Sequence, residues 1–385
     1  VGFKLLVGWI AGGLAATLGA VVLAAAVAVV YALLRPHRAF APGPPMGLES
    51  WPAVSDGRHN SNTDLFFWRG SYWLVHASGP WHFASARTRL VLRRSSDARS
   101  WTEVASFSVP GEDVRDPKLV AFGGRLWLYF FPNRQFPEPQ PYTTLVTSSS
   151  DGVGWETPAP VEPGGWLLWK PKPLGAELAA TAYWHEHDRV ALLRSGDGRT
   201  WTIVSDIVRG PSADETALEV LEDGRILATS RLEGRDHDSW FGDPEGTTLL
   251  SVAAPPYLEW RRTRDDGARL DGPSLFRWRG RVYAVGRFEP DRRHGLFETG
   301  SILARKRTAL YLVEPHRLAP LGILPSAGDT SYAGVVLRKG DLLISYYTSR
   351  VDRDYPWILG MLLPSEIRIA RLPLSRLEAL AESSP

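Results

Sequence analysis

Acidic side chains recur at one place in a repeating pattern along this chain of 385 residues. Asp64, Asp116, Glu215, Asp271 and Asp329 each open an apolar stretch that runs into a glycine turn, and Lys170 or Lys172 holds that place in one further stretch. Carboxylates gathered at one mouth can serve as acid and base on a glycosidic bond, and their separation then sets the stereochemical outcome. Asp64, Asp116 and Glu215 are the set that such chemistry on a neutral glycan would use. The competing reading is that these residues cap strands and bond exposed backbone amides. Asp116 is the strongest case for it, because Asp-Pro in "RDPKL" favours a turn. Trp169, beside Lys170, offers either a platform for a sugar face or plain packing. No Gly-rich loop opens a helix, so no nucleotide cofactor is expected. "HEH" at His185–His187 has no partner at a recognised ligand spacing, so no metal is expected.

Such residues act together only if the elements beneath them converge. Six stretches share one rhythm, a strand, a glycine turn and a second strand, with the turns at Gly70, Gly124, Gly175, Gly224, Gly280 and Gly340. A second signature follows within the units: "RSSDARSW" ending at Trp101, "SSSDGVGW" at Trp155, "RSGDGRTW" at Trp201, and a degenerate "SVAAPPYLEW" at Trp260. Asp and Gly suit a tight turn, and the Trp that follows gives the next strand a large apolar face. Each unit thus offers four strands in roughly 50 residues, a length typical of stacked repeats. A lone four-stranded sheet cannot bury both faces, whereas six arranged radially can. The chain reads as all-β, a six-bladed β-propeller over residues 58–372, in preference to a sandwich of unrelated hairpins. The Asp-containing turn joins the third and fourth strands of a blade, so Asp97, Asp151 and Asp197 are structural and their Trp residues are expected to be buried.

These turns resemble the Asp-box, or BNR repeat, of the sialidase superfamily, and the resemblance extends over nearly all of the chain beyond its N-terminal segment. "DETALEVLEDGRILATSR" is similar to the sialidase segment in which a Glu opens one strand and an Arg closes the next, which assigns Glu215 and Arg231. "GDTSYAGVVLRKGDLLISYY" resembles the segment with the catalytic Tyr, which assigns Tyr332. The resemblance implies a Tyr nucleophile with Glu215 as its base, because a carboxylate nucleophile would be repelled by a substrate bearing its own carboxylate. It also implies arginines that hold that carboxylate in forked pairs, Arg231 and Arg287. Two features depart from the family. Arg58 lies several residues before the usual first-strand Arg, in "RHNSNTDLFF". The usual acid Asp after the second strand is not evident, and His76 and His82 stand there instead. Asp64 or His82 is the expected proton donor. With "HNSNTDL", "RDPKL" and "GDTSY", the chain looks like a bacterial sialidase-like subgroup. Its expected substrate-binding set comprises Arg58, His59, Asn60, Asp116, Lys118, Trp169, Lys170, Asp271 and Asp329 besides the two arginines.

Composition narrows the partners. Net charge is only +2 and no basic cluster stands out, so nucleic acid is not an expected partner. Cysteine is absent, which removes disulfides and thiolate chemistry. Sixteen Trp, 36 Gly and 30 Pro suit many short strands and tight turns. From Leu5 to Leu34 no residue is charged. About 20 apolar residues suffice to cross a bilayer, while the apolar core of a signal peptide is normally about 7–15 residues. A single-pass anchor over residues 1–34 is therefore preferred to a cleaved signal. Residues 35–57 read as a Pro-rich linker and 373–385 as a tail or short helix. The expected protein is a membrane-anchored monomer with an extracytoplasmic propeller that acts on a glycan or glycoconjugate without a cofactor, the alternative being a non-catalytic propeller that binds glycan or protein.

Overall fold

The computed structural model describes residues 2–34, 46–133, 142–210, 212–235, 239–290 and 295–383. The uncharged N-terminal run is one helix, α1 (Gly2–Leu34). It is long and apolar enough to cross a membrane, and residues 12–31 are not buried against the rest of the chain. A secretion signal has the same character. Residues 35–45 of the expected linker lie outside the described residues.

The rest is a propeller of six four-stranded sheets. After β1 (Glu49–Val54), the first blade is β2 (His59–Trp68), β3 (Ser71–Gly79), β4 (Arg89–Ser95) and β5 (Thr102–Phe107). The second is β6 (Asp113–Phe122), β7 (Arg125–Asn133), β8 (Leu145–Ser149) and β9 (Ala159–Pro160). The third is β10 (Trp166–Leu174), β11 (Glu177–Trp184), β12 (Arg189–Ser195) and β13 (Thr202–Arg209). The fourth is β14 (Ala213–Val220), β15 (Ile226–Leu232), β16 (Thr247–Ala253) and β17 (Arg261–Asp265). The fifth is β18 (Ser274–Trp278), β19 (Arg281–Phe288), β20 (Arg307–Glu314) and β21 (Arg317–Ile323). The sixth holds β22 (Thr330–Arg338) and β23 (Asp341–Thr348), then a one-turn helix α2 (Trp357–Leu362), then β24 (Glu366–Pro373). Helix α3 (Leu374–Glu382) follows.

The sixth blade corrects the expected boundary at residue 58. Its outermost strand is β1, paired antiparallel to β24 from Glu49↔Arg371 to Val54↔Ile367. Residues read as linker thus close the ring, because β24 would otherwise present an unpaired edge.

The three Asp-containing turns dock the first, second and third blades onto their preceding neighbours. In the second blade Asp151 Oδ1 accepts the amides of Val153 and Gly154 at 2.8 and 2.9 Å. That turn brings Gly152, at φ 82°, against Trp73 of the first blade, where a Cβ would lie 2.0 Å from the indole. In the third blade Asp197 takes the same two bonds, and the Gly198 carbonyl accepts from Tyr129 of the second blade at 2.8 Å. In the first blade the Ala98 carbonyl accepts from Trp51 of β1 at 3.1 Å. Of the three Trp residues expected to be buried, Trp201 is, whereas Trp101 and Trp155 are only half-buried at the blade edge; Trp260 is buried as well.

Near the axis the packing leaves no room for side chains where β22 crosses β2. A Cβ on Gly334 would lie 1.9 Å from the Leu65 amide nitrogen. Gly334→Ala is therefore expected to cost about 3 kcal/mol or more in urea unfolding. Gly70→Ala, a left-handed turn position in open space, should cost about 1 kcal/mol. Equal midpoints for the two variants would show that the close approach is absent.

Candidate active site

The innermost strands of the blades line the axis, and five of the six break register near their starts. The breaks fall between Ser61 and Thr63, Arg115 and Lys118, Trp169 and Lys172, Ala213 and Thr216, and Ser331 and Gly334. Four carry a non-glycine residue in the left-handed region: Asn62 (φ 47°), Asp116 (53°), Lys170 (36°) and Tyr332 (49°). Such conformations cost about 1–3 kcal/mol each and persist where surrounding structure imposes them. A bulge bends its strand and re-aims a side chain. Here Asn62, Asp116 and Tyr332 line one cavity of about 490 Å³, whereas Lys170 lines a different pocket. Of the expected residues, Glu215, Tyr332, His82, Arg231, Arg287 and Asp116 line the cavity.

Glu215 and Tyr332 meet across the axis, from β14 and β22. The Tyr332 hydroxyl donates to Glu215 Oε1 at 2.5 Å. Glu215 Oε2 accepts the Gly272 amide at 2.7 Å and lies 3.2 Å from Arg231 Nη1. Gly272 is required there, since a Cβ would stand 2.9 Å from the Tyr332 ring. Burial pushes the Glu215 carboxyl up to about 7. Arg231 opposes that rise, and the carboxylates of Asp214, Asp116 and Asp271 add to it. Burial, reinforced by Glu215, also holds the Tyr332 phenol well above its ordinary range. The pair is thus an acid and a weak nucleophile sharing a short hydrogen bond, near the pH at which the carboxyl changes charge.

Among the described residues four arginines line the cavity, and each is bound to a carboxylate. Asp214 receives Arg231 through Nε at 2.7 Å and Nη2 at 2.5 Å. Glu233 lies 3.2 Å from that same Nη2. Burial opposes ionisation of Asp214, and Arg231 overcomes it, holding the carboxyl down at about 2. Asp271 binds Arg269 at 2.7 and 3.0 Å and Arg287 at 3.3 Å. Arg287 also donates to the Thr330 carbonyl at 3.1 Å and to the Tyr347 hydroxyl at 3.2 Å. Arg115 is held by Asp113 at 2.7 Å. Arg231 is therefore the hub of a buried charge network more than a free fork, and removing one partner of such a network costs several kcal/mol.

On the opposite wall Asp329 is fully buried. Its Oδ1 accepts Tyr347 Oη at 2.9 Å and Trp357 Nε1 at 2.7 Å. Its Oδ2 lies 2.7 Å from His82 Nδ1 and 3.2 Å from His59 Nε2. Burial opposes ionisation of Asp329, and the two histidines overcome it, so its carboxyl sits well below the usual range.

The remaining expected residues do not reach the cavity. Asp64 does not open its strand in register with Asp116. Asn62 holds that place, eight residues before the hairpin glycine, as 116 stands to 124 and 332 to 340. Asp64 lies deeper and buried, taking Lys170 Nζ at 2.8 Å and the Leu119 amide at 2.8 Å. It cannot be the proton donor to a ligand in the mouth. Lys170 is spent on Asp64 and on Ser274 at 3.2 Å. Trp169 is no exposed platform. It is buried beneath Tyr332, at 6.1 Å between rings, with its indole donating to Pro273 O and Lys118 Nζ 4.2 Å over its face. Arg58 is exposed on Ser78 at 2.9 Å, and Asn60 is buried against Asp56 and Ser365. Asp271 and Asp329 stand behind the cavity wall and position its arginines and histidines.

Sequence reasoning missed Arg115, Arg269, Glu233 and His187, all of which line the cavity. A signal for two of them was present. "RLEG" at 231–234 and "RLDG" at 269–272 place an Arg two residues before an acid and a left-handed glycine. His187, from the dismissed "HEH", reaches Asp214 at 3.0 Å.

No protein-family model and no curated protein matches the chain. Solved structures do. A Dyadobacter fermentans protein of unknown function has a TM-score of 0.59 at 15% identity, over 84% of this chain and 98% of that one. Trypanosoma rangeli sialidase in complex with sialic acid has a TM-score of 0.58 at 12% identity, over 89% of this chain, which spans only 60% of that enzyme. The NanB sialidase of Streptococcus pneumoniae, as a K499G mutant, also has a TM-score of 0.58 at 12% identity, over 89% and 71%. With six sheets around one axis and these likenesses together, the chain has the six-bladed β-propeller fold found in the sialidases.

Proposed function

We propose that the protein is a sialidase-like glycoside hydrolase acting on an acidic sugar or glycoconjugate. The observation that carries this reading is the Tyr332–Glu215 hydrogen bond on the wall of an open cavity. In the reaction, Tyr332 Oη bonds to the anomeric carbon while Glu215 accepts its proton. The glycosidic bond breaks, and the leaving oxygen takes a proton from His82. Water then attacks the anomeric carbon and gives one proton to His82, while the tyrosyl ether bond breaks and Tyr332 takes its proton back from Glu215. Arg287 and Arg231 hold the anionic group of the sugar. A second reading, a neutral glycan, is favoured by one observation: each arginine of the cavity already carries a carboxylate.

The anchor belongs to this proposal. β1 begins, at Glu49, at the end of the sixth blade where Arg338 lies, remote from Thr330 and the mouth. A helix retained in the membrane would tether the propeller by the face opposite the cavity and leave the mouth directed outward.

Tyr332→Phe removes only the hydroxyl, so kcat on an aryl glycoside of an acidic sugar should fall by ~10³-fold or more with the melting temperature unchanged. Wild-type turnover of the acidic glycoside and none of its neutral counterpart is the expected pattern. Full activity of Tyr332→Phe would remove the nucleophile assignment.

The pH dependence follows from Glu215. As base it must be ionised, so kcat/KM should rise as pH climbs through about 7. Stability runs the other way. The carboxyl holds its proton more tightly folded, at about 7, than at its usual 4.5. Its stabilising contribution is complete below 4.5 and is lost as pH rises through 7. Thermal melts should therefore show Glu215→Gln gaining on wild type across that window. Parallel curves would mean that Glu215 titrates normally.

A further inference from the structure

His59, His82 and Asp329 bring one ligand atom each to within 4.8 Å of one another, from the start of β2, the loop after β3 and the start of β22. The glycosidase reading uses only His82 of these three, as proton donor; the inference drawn here does not depend on that reading, and a metal on His82 Nδ1 would pass the donor role to a metal-bound water.

The hydrogen bonding of the cluster is incomplete in a particular way. His59 Nδ1 lies 2.9 Å from the Leu363 carbonyl, which can only accept, so Nδ1 carries the proton. Nε2 of a neutral ring is then a bare lone pair. It is buried, has no hydrogen-bond partner, and faces Asp329 Oδ2 at 3.2 Å. His82 Nδ1 approaches that same oxygen at 2.7 Å. His82 Nδ1 can donate a proton to that oxygen, but the bare His59 lone pair can face it favourably only across a proton or a metal ion.

The surroundings favour a metal. Ligating histidines characteristically donate the other ring N–H to a carbonyl, and ligating carboxylates are themselves hydrogen-bonded. His59 does the first through Leu363. Asp329 does the second, because Tyr347 and Trp357 occupy Oδ1 and leave Oδ2 to the rings. The His82 backbone amide donates to the Met361 carbonyl at 2.8 Å, which fixes the loop. Arg287, 3.6 Å away, faces Oδ1 and not the converging atoms. The other His–acid group among the described residues, His187, Asp214 and Glu233, lacks this character, since Arg231 already fills its centre.

We propose that His59 Nε2, His82 Nδ1 and Asp329 Oδ2 bind a zinc-class divalent cation at the cavity wall. Two imidazoles and one carboxylate suit zinc, cobalt or nickel, and not the all-oxygen coordination of calcium or magnesium. His82 lines the cavity, so a fourth position on the metal would be open to water or to a ligand oxygen.

The test is direct. Full-length protein is stripped with chelator, then titrated calorimetrically with Zn²⁺ and, by visible absorption, with Co²⁺. About one equivalent of each should bind, with the absorption of a nitrogen–oxygen site. Affinity should fall by ~100-fold or more in His59→Ala and His82→Ala, and by about 10-fold in Trp357→Phe, which removes the N–H behind Asp329 together with part of the indole. His187→Ala should bind as wild type. No saturable binding by a folded wild-type chain would overturn the proposal and leave a protonated histidine as the cation. Binding unaltered in Trp357→Phe and both histidine variants would also overturn it.

Discussion

Charge buried at the axis must be matched within reach, and this requirement orders the centre of the molecule. Arg231, Arg269 and Arg287 come from the fourth and fifth blades and would be costly to bury alone. Asp214 and Asp271 take them in, and the two carboxylates are held ionised by those contacts. Glu215 sits beside the same network and, like Glu233, has its carboxyl raised by burial. Its partners are a phenol, an amide and one edge of Arg231, which is too little to offset burial and neighbouring carboxylates. Glu215 is thereby left poised near neutrality beside two aspartates held in the charged form. Such divergence between adjacent acids is a usual mark of acid–base chemistry.

The backbone supplies the second condition. Regular strands would alternate their side chains between the two faces of each blade. The bulges at Asn62, Asp116 and Tyr332 break that alternation at the cavity end of the ring. The strain is borne by the packing below, where Gly334 lets β22 lie against β2 and the Asp-containing turns lock neighbouring sheets together. Rigidity at the periphery and strain at the mouth are thus two parts of one arrangement.

Both walls of the cavity carry unspent chemistry. One presents the phenol–carboxyl pair. The other presents two histidines and an aspartate whose second oxygen is tied back by Tyr347 and Trp357. The arginines lie among them, already neutralised. An anionic ligand must therefore compete with carboxylates the protein supplies, which favours selectivity over raw affinity.

Local pattern determined most of the architecture. The glycine turns, the Ser-x-Asp turns and the uncharged N-terminal run are short-range signals, so the blade count and helix α1 could be read directly from the residues. Glu215, Arg231 and Tyr332 were legible because their motifs are local as well. Closure of the ring by Glu49–Val54 was not, since an edge strand's partner lies more than 300 residues away and leaves no mark on its own sequence. The fates of Asp64, Trp169 and Lys118 were equally hidden. Sequence placed them beside the mouth, but each bulge inserts a residue, and one residue of register turns a side chain to the other face. The meeting of His59, His82 and Asp329 was decided only by tertiary structure, because three separated segments had to close on one carboxylate oxygen before their chemistry existed.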